Sequence, residues 1–314
     1  LDKVIAPHTA GDPMNSTKWL NCRLSDIQDE LESSHRVSKP VISRLLRARA
    51  YRLRSNRKQI DSNAQHPDRD RQFKYIQQQR KEHAARHQPQ LSVDTKKKEL
   101  IGNFKNVGQV WCQEPVAVNT HDFKQDSLGR AVPYGIYDQQ FNLGTICLGC
   151  SADTPAFAVD NIALWCATER LERFPNATAI LIEADCGGSN SARARAWKWY
   201  LQEKVADPFG IAVTVCHYPT GTSKWNPIEH RLFSEISKTW AGCPLQNFEV
   251  AANYIRNTKT KTGLAVRVHQ NNNEYATGEK ITDEQLASLN IVRHEVCPQW
   301  NYTIYPRSIQ LSGL

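Results

Sequence analysis

The sequence predicts an α/β fold: a mixed sheet flanked by helices, preceded by a helix-turn-helix region. Three observations predict it. Short apolar runs ending in an acid or paired glycines, such as Ala177–Asp185 before Gly187-Gly188, read as buried strands opening into loops. From Leu143 onward such runs alternate with helical patterns, as in a sheet covered by helices. Positive charge is concentrated ahead of them: residues 36–87 hold 15 Lys/Arg against four Asp/Glu, whereas residues 88–314 hold 22 of each. A basic segment joined to a neutral larger unit suggests a polyanion-binding element, with a solvated linker as the plain alternative.

At 314 residues the chain is long enough for one sizeable core plus a smaller domain. Nine cysteines, several inside apolar runs, fit buried thiols in a reducing compartment better than a disulfide scaffold. No signal peptide or long apolar span is legible, so a cytoplasmic protein without membrane association is expected.

Leu24, Ile27 and Leu31 have helical spacing, and Ser25 with Gln28 has capping-box spacing. A second helix follows, with Ser38 as its cap, Pro40 in its first turn, and Val41, Leu45 and Ala48 on one face. Lys39, Arg44, Arg47 and Arg49 on or beside it, and Arg52 and Arg54 in the basic run to Lys58, are candidate phosphate contacts. An ordinary helical hairpin is the competing reading. The expected division is residues 1–60 as the helix-turn-helix region with its basic extension, residues 61–88 as a linker helix docking the small domain, and residues 89–314 as the larger domain.

Pro89–Asp94 reads as a strand, and Leu91 and Val93 take one parity while Ser92 and Asp94 take the other. The lysines Lys96, Lys97 and Lys98 suggest a hairpin connection to a strand at Leu100, either solvated or holding substrate phosphates. Asp122 and Asp126 read as surface acids. Asp153 reads as the cap of a helix running to Arg173, and Ser189 or Asn190 as the cap of the next one. At Asn226-Pro227-Ile228-Glu229 two readings are equally open. Asn226 can cap, with Glu229 closing a capping box, or Glu229 can be a metal ligand. Lys224 and Arg231 are further candidate DNA contacts. Trp225 could stack on a base or sit in the core, and His230 could touch substrate.

The strings Ser92–Leu100, Asp185-Cys186-Gly187-Gly188-Ser189-Asn190, His217–Ser234 and Trp300–Ile304 together resemble DDE transposases of the ISAzo13 group. The resemblance implies a ribonuclease-H-like catalytic domain with Asp94, Asp185 and Glu229 as the catalytic and metal-binding triad. It also implies Mg²⁺ or Mn²⁺, two ions in the expected arrangement, and double-stranded DNA as partner: the terminal inverted repeats and a target. A homo-oligomer on DNA and association with a bacterial nucleoid are the corresponding expectations. A metal-dependent nuclease or integrase of the same fold, and an inactive DNA-binding remnant, are the alternatives. Two local features stand apart. Glu183 falls on the same strand face as Asp185, as an extra acid near the metals or the partner of a lysine. Cys186 occupies a place where the resemblance implies glycine.

Overall fold

The computed structural model describes residues 1–11, 18–54 and 66–307, so the Ser55–Lys58 end of the basic run lies outside the described residues. The chain divides into two compact units, Leu1–Ser62 and Asn63–Leu314. Among the described residues no helix is long and apolar enough to cross a membrane.

The first unit contains α1 (Asp2–Ile5), β1 (Thr9–Gly11), β2 (Lys18–Leu20), α2 (Leu24–Glu32) and α3 (Lys39–Ala48). Ile5, Ile27, Leu31, Ile42 and Leu46 form its core. The inward face of α3 is therefore Ile42 and Leu46, an i,i+4 pair one residue round from the expected Val41–Leu45–Ala48 stripe. Helix α2 begins at Leu24, and its capping contact runs from Asp26 to the Arg23 N–H (2.7 Å), displacing the Ser25/Gln28 reading. Gln28 instead donates to the Val37 carbonyl at 2.9 Å and closes the turn between the helices. Lys39, Arg44, Arg47, Arg52 and Arg54 are exposed, whereas Arg49 is held by Asp2 at 2.5 and 2.7 Å.

The second unit opens with α4 (Arg69–Ala85), followed by β3 (Gln90–Thr95), β4 (Glu99–Ile101), β5 (Gly129–Asp138), β6 (Leu143–Gly149) and α5 (Pro155–Trp165). A π-turn over Cys166–Arg170 leads to α6 (Leu171–Arg173), then β7 (Ala179–Ala184), α7 (Arg195–Leu201), α8 (Asp207–Phe209) and β8 (Ala212–His217). After a further π-turn at Gln202–Ala206, a third, Glu229–Phe233, runs into α9 (Ser234–Thr239), and α10 (Phe248–Arg256), β9 (Ala265–Asn271), α11 (Asp283–Ala287), β10 (Ile291–Arg293) and β11 (Asn301–Ile304) follow.

The strands form one mixed sheet in the order β10-β11-β8-β7-β3-β5-β6-β9, with β4 on β5. Its centre has β3, β5 and β6 antiparallel in succession, then β7 and β8 parallel to β3, the ribonuclease-H-like arrangement. The expected Lys-rich hairpin between β3 and β4 is not formed, because β4 pairs with β5. One face of the sheet packs Leu91, Val93, Ile180 and Ile182 against α5 and α7; the other packs Tyr137, Ile146 and Leu148 against Leu232, Phe233 and α10. Helix α4 covers β7 and β8 through Ile76 and lies within this unit.

One close approach sets the site. Gly135 lies opposite Asp94 in the β3–β5 register, and a Cβ there would fall 2.5 Å from the Phe233 ring. Glycine lets the helix that carries Glu229 lie directly on β5, beside the strand that carries Asp94.

Candidate active site

Parity and register bring the first two acids together. Val93 and Ala184 are partners in the parallel β3–β7 ladder, so Asp94 and Asp185 follow them side by side at the ends of neighbouring strands. Ser92 and Asp94 share the face covered by the Glu229 helix, opposite Leu91 and Val93 in the core.

Glu229 is delivered by a cap that does not come from its own segment. Asn226 occupies the cap position, fully buried, but its side chain is turned away from the helix. It accepts from the Ser92 hydroxyl and donates to Asp185 Oδ1 at 3.1 Å and to the Val93 carbonyl at 3.4 Å. The Asn226 N–H donates to the Ser223 carbonyl at 2.9 Å rather than to Glu229. Ser92 takes over the cap, its Oγ accepting the Ile228 N–H at 3.0 Å. The capping-box reading of Glu229 is thereby displaced, and its carboxylate is left to line the cleft.

The electrostatics follow. Burial, then the neighbouring Asp185, push the Asp94 carboxyl up to about 8; Glu229 and Asp153 add to the rise, against the Thr95 N–H that donates to Oδ1 at 2.7 Å. Burial also raises Asp185, opposed by the Asn226 amide. Burial and Asp185 raise Glu229, opposed by His230 and Lys96. Among the described residues no three His, Cys, Asp or Glu side chains already stand in metal-holding geometry. The donor set nevertheless fits hard divalent cations: three oxygen-bearing groups whose shared negative charge burdens one another until protons or cations neutralise it.

Two clefts meet here. Glu229 lines one of about 1230 Å³ with Lys97, Lys98, Lys105, Lys224 and Asp122, and Asp122 is exposed, as expected of a surface acid. Asp185 lines another of about 590 Å³ with Cys186, Gly187 and Arg193, and Ser223 lines both. Lys97, Lys224 and Arg231 are exposed. Lys96 departs from the expectation: it is buried, its ammonium 4.5 Å from the Trp240 ring centre and 3.3 Å from Glu99. Trp225 is 53 % exposed, which excludes the core alternative. His230 meets the Lys224 carbonyl through Nε2 and braces the loop.

Several neighbours depart from their local sequence signals. Thr154, not Asp153, caps α5, accepting the Phe157 N–H at 3.2 Å. Asp153 instead accepts from Thr95 Oγ1 at 3.0 Å and pairs with Lys98 at 3.5 Å, beside Asp94. Ser189 and Asn190 cap nothing, since α7 starts at Arg195; Ser189 Oγ lies 3.4 Å from Thr95 Oγ1, and Asn190 accepts from Tyr134 OH at 2.9 Å. Glu183 is fully buried and committed to Arg80 (2.6 and 2.5 Å) and Tyr218 OH (2.5 Å). It is the buried anchor of α4, neither an extra site acid nor the partner of a lysine.

Residues 1–306 match the family model described as the Rhodopirellula transposase DDE domain. The chain belongs to this family of DDE transposases. The resemblance in the sequence is thus borne out, and the chain is a DDE-type transposase enzyme, a class that works with divalent metals. Among solved structures the chain is similar to the Mos1 transposase paired-end complex with the left transposon end, at 12 % identity and a TM-score of 0.43, covering 78 % of this chain and 73 % of that one. It is similar to the same degree to the Mos1 mariner paired end complex with Mn, at 13 % identity and a TM-score of 0.43, covering the same shares of both chains. A comparison with curated proteins finds no match.

Proposed function

We propose that this transposase binds the terminal inverted repeats of its element, hydrolyses the phosphodiester at their ends, and joins the freed 3′-hydroxyl to target DNA. The observation that carries this reading is the convergence of three burdened carboxylates, Asp94 and Asp185 on adjacent strand ends and Glu229 on a helix start, at the meeting of two clefts with basic walls.

Asp94, Asp185 and Glu229 are the residues that would hold Mg²⁺ or Mn²⁺, two ions in our reading. When bound, such ions polarise a phosphodiester oxygen and lower the pKa of an attacking water. The chain's own groups do the rest. The Ser92–Asn226 pair holds Asp185 and the Glu229 helix in one frame. Lys97, Lys98, Lys224 and Arg231 bind backbone phosphates and set the register of the DNA. No side-chain nucleophile is needed.

In the first unit, Lys39, Arg44, Arg47, Arg52 and Arg54 contact repeat DNA, with α2 and α3 acting as a helix-turn-helix whose second helix enters the major groove. Binding through these charges weakens steeply with added salt. Two or more copies assembled on paired ends, working in the cytoplasm at the nucleoid, complete the reading.

The decisive experiment supplies a pre-cut repeat end, a target duplex and Mn²⁺. Joined product is expected from the wild-type chain and none from Asp185→Asn, with repeat binding retained. Cutting without joining would identify a nuclease; binding with neither, unchanged by Asp185→Asn, would identify a DNA-binding remnant.

A further inference from the structure

The C-terminal string Trp300–Ile304 stood out in the sequence, yet it contributes nothing to the acid triad. Its strand, β11, adds antiparallel to β8, with Asn301 opposite Cys216 and Tyr302 opposite Val215. Behind Asp185 it takes part in a chain of fully buried polar side chains: Trp197, Tyr302 and His217. Trp197 Nε1 lies 2.9 Å from the Tyr302 hydroxyl, that hydroxyl 3.1 Å from His217 Nε2, and His217 Nδ1 3.1 Å from the Asp185 carbonyl oxygen.

Donor chemistry gives this chain one direction. A carbonyl can only accept, so Nδ1 carries the ring proton. Nε2 of the neutral ring then accepts, so Tyr302 donates to it, and the Tyr302 oxygen is left to accept the indole N–H. The backbone of His217 is pinned as well: its N–H donates to the Trp300 carbonyl at 3.0 Å, and its carbonyl accepts from Gln72 at 2.9 Å. Gln72 and Asn301 are joined by two reciprocal amide bonds, at 2.7 and 2.6 Å. The β7–β8 ladder ends at Ala184 and His217, so the peptide of Asp185 lies just beyond it. Its carbonyl is held by this chain while its carboxylate is held by Asn226.

We propose that β11 is a positioning element of the acid site: Tyr302 fixes the tautomer and tilt of His217, and His217 fixes the main chain of Asp185. The proposal deepens the functional reading above and rests on Asp185 being a metal ligand. Partners of this kind, one layer behind a ligand, are typically worth about 10–100-fold in metal affinity or activity.

The test uses the full chain, with free Mn²⁺ followed by electron paramagnetic resonance and with kcat and KM measured on a repeat-end duplex. Tyr302→Phe is expected to weaken Mn²⁺ binding and lower kcat about tenfold each, with KM for DNA unchanged. His217→Leu removes the donor to Asp185 and should match it. His217→Asn, which keeps an N–H at the place of Nδ1, should stay within about threefold of wild type. A purely packing role would lower the melting temperature of all three variants while leaving Mn²⁺ affinity intact, and that result overturns the proposal. Equal metal affinity in His217→Leu and His217→Asn does so too, independently of whether Tyr302→Phe folds. Asp185→Asn separates the two levels. If it retains full cleavage and Mn²⁺ uptake, the metal-ligand reading itself falls; if it loses both while Tyr302→Phe is normal, only the positioning role falls.

Discussion

Two helix starts in this chain look alike in sequence and behave in opposite ways. At Asp153-Thr154-Pro155 and at Asn226-Pro227-Ile228-Glu229, a polar residue precedes a proline suited to the first turn, and an acid stands nearby. At the first, the cap is local: Thr154 accepts the Phe157 N–H, and Asp153 is released to Thr95 and Lys98. At the second, the cap comes from a residue 136 positions earlier, Ser92 on the central strand. That long-range cap releases both Asn226 and Glu229 for the site. A locally satisfied helix start can be stable without reference to the rest of the fold. One capped from another strand is fixed in position relative to that strand, as the metal ligand proposed for Glu229 requires.

Four experiments sharpen or break this comparison, in decreasing order of expected effect. Glu229→Gln should reduce strand cleavage by on the order of a thousandfold, or about 4 kcal/mol of transition-state stabilisation. Asp153→Asn should lose no more than about tenfold on the same scale; equal losses in single-turnover assays would mean that the two acids do not differ in role.

Ser92→Ala removes the long-range cap and the partner of Asn226 together. It should lower stability by about 1–2 kcal/mol, as lost caps do, and turnover with it. Thermal melts and kcat that both match wild type would show that the Glu229 helix is positioned by packing alone.

Asp94→Asn should stabilise the metal-free protein at pH 8. The folded carboxyl titrates near 8 instead of 3.8, so its contribution to stability is full below pH 3.8 and is lost as pH rises towards 8. A gain of about 1 kcal/mol corresponds to a melting shift of about 2–4 °C in a domain of this size. Wild-type Mn²⁺ affinity should rise over the same pH range as the proton is displaced; calorimetry showing a pH-independent affinity would contradict the repulsion argument.

Thr154→Ala is the smallest: about 1 kcal/mol of stability, with cleavage unchanged below the melting range. A loss of activity without a loss of stability would place this helix start in the site as well.

Much of the architecture was legible because burial writes itself into local pattern. Leu91 and Val93 alternate with Ser92 and Asp94, and the apolar run before Asp185 is the buried strand β7. Elements whose partners are local or follow a simple period could be read directly. The misplaced features depend on distant partners. The predicted stripe on α3 was displaced by one residue because the neighbouring helix selects which of two adjacent apolar sets is buried. The expected Lys-rich hairpin does not form because β4 finds its partner about thirty residues later. Glu183 was ambiguous because its partner, Arg80, lies on a helix 103 residues away.

By itself the sequence determined the candidate carboxylates, the strand ends that carry two of them, the concentration of basic charge before them, and the family. Only the tertiary structure decided what frees Glu229 from its own helix, what occupies Asn226, and why Asp153 stands beside Asp94. The physical reason is that a hydrogen-bonding side chain adjacent in sequence has a nearby backbone amide as its default partner. The default is displaced only when the fold brings in a better-placed competitor, and the Ser92 hydroxyl is that competitor.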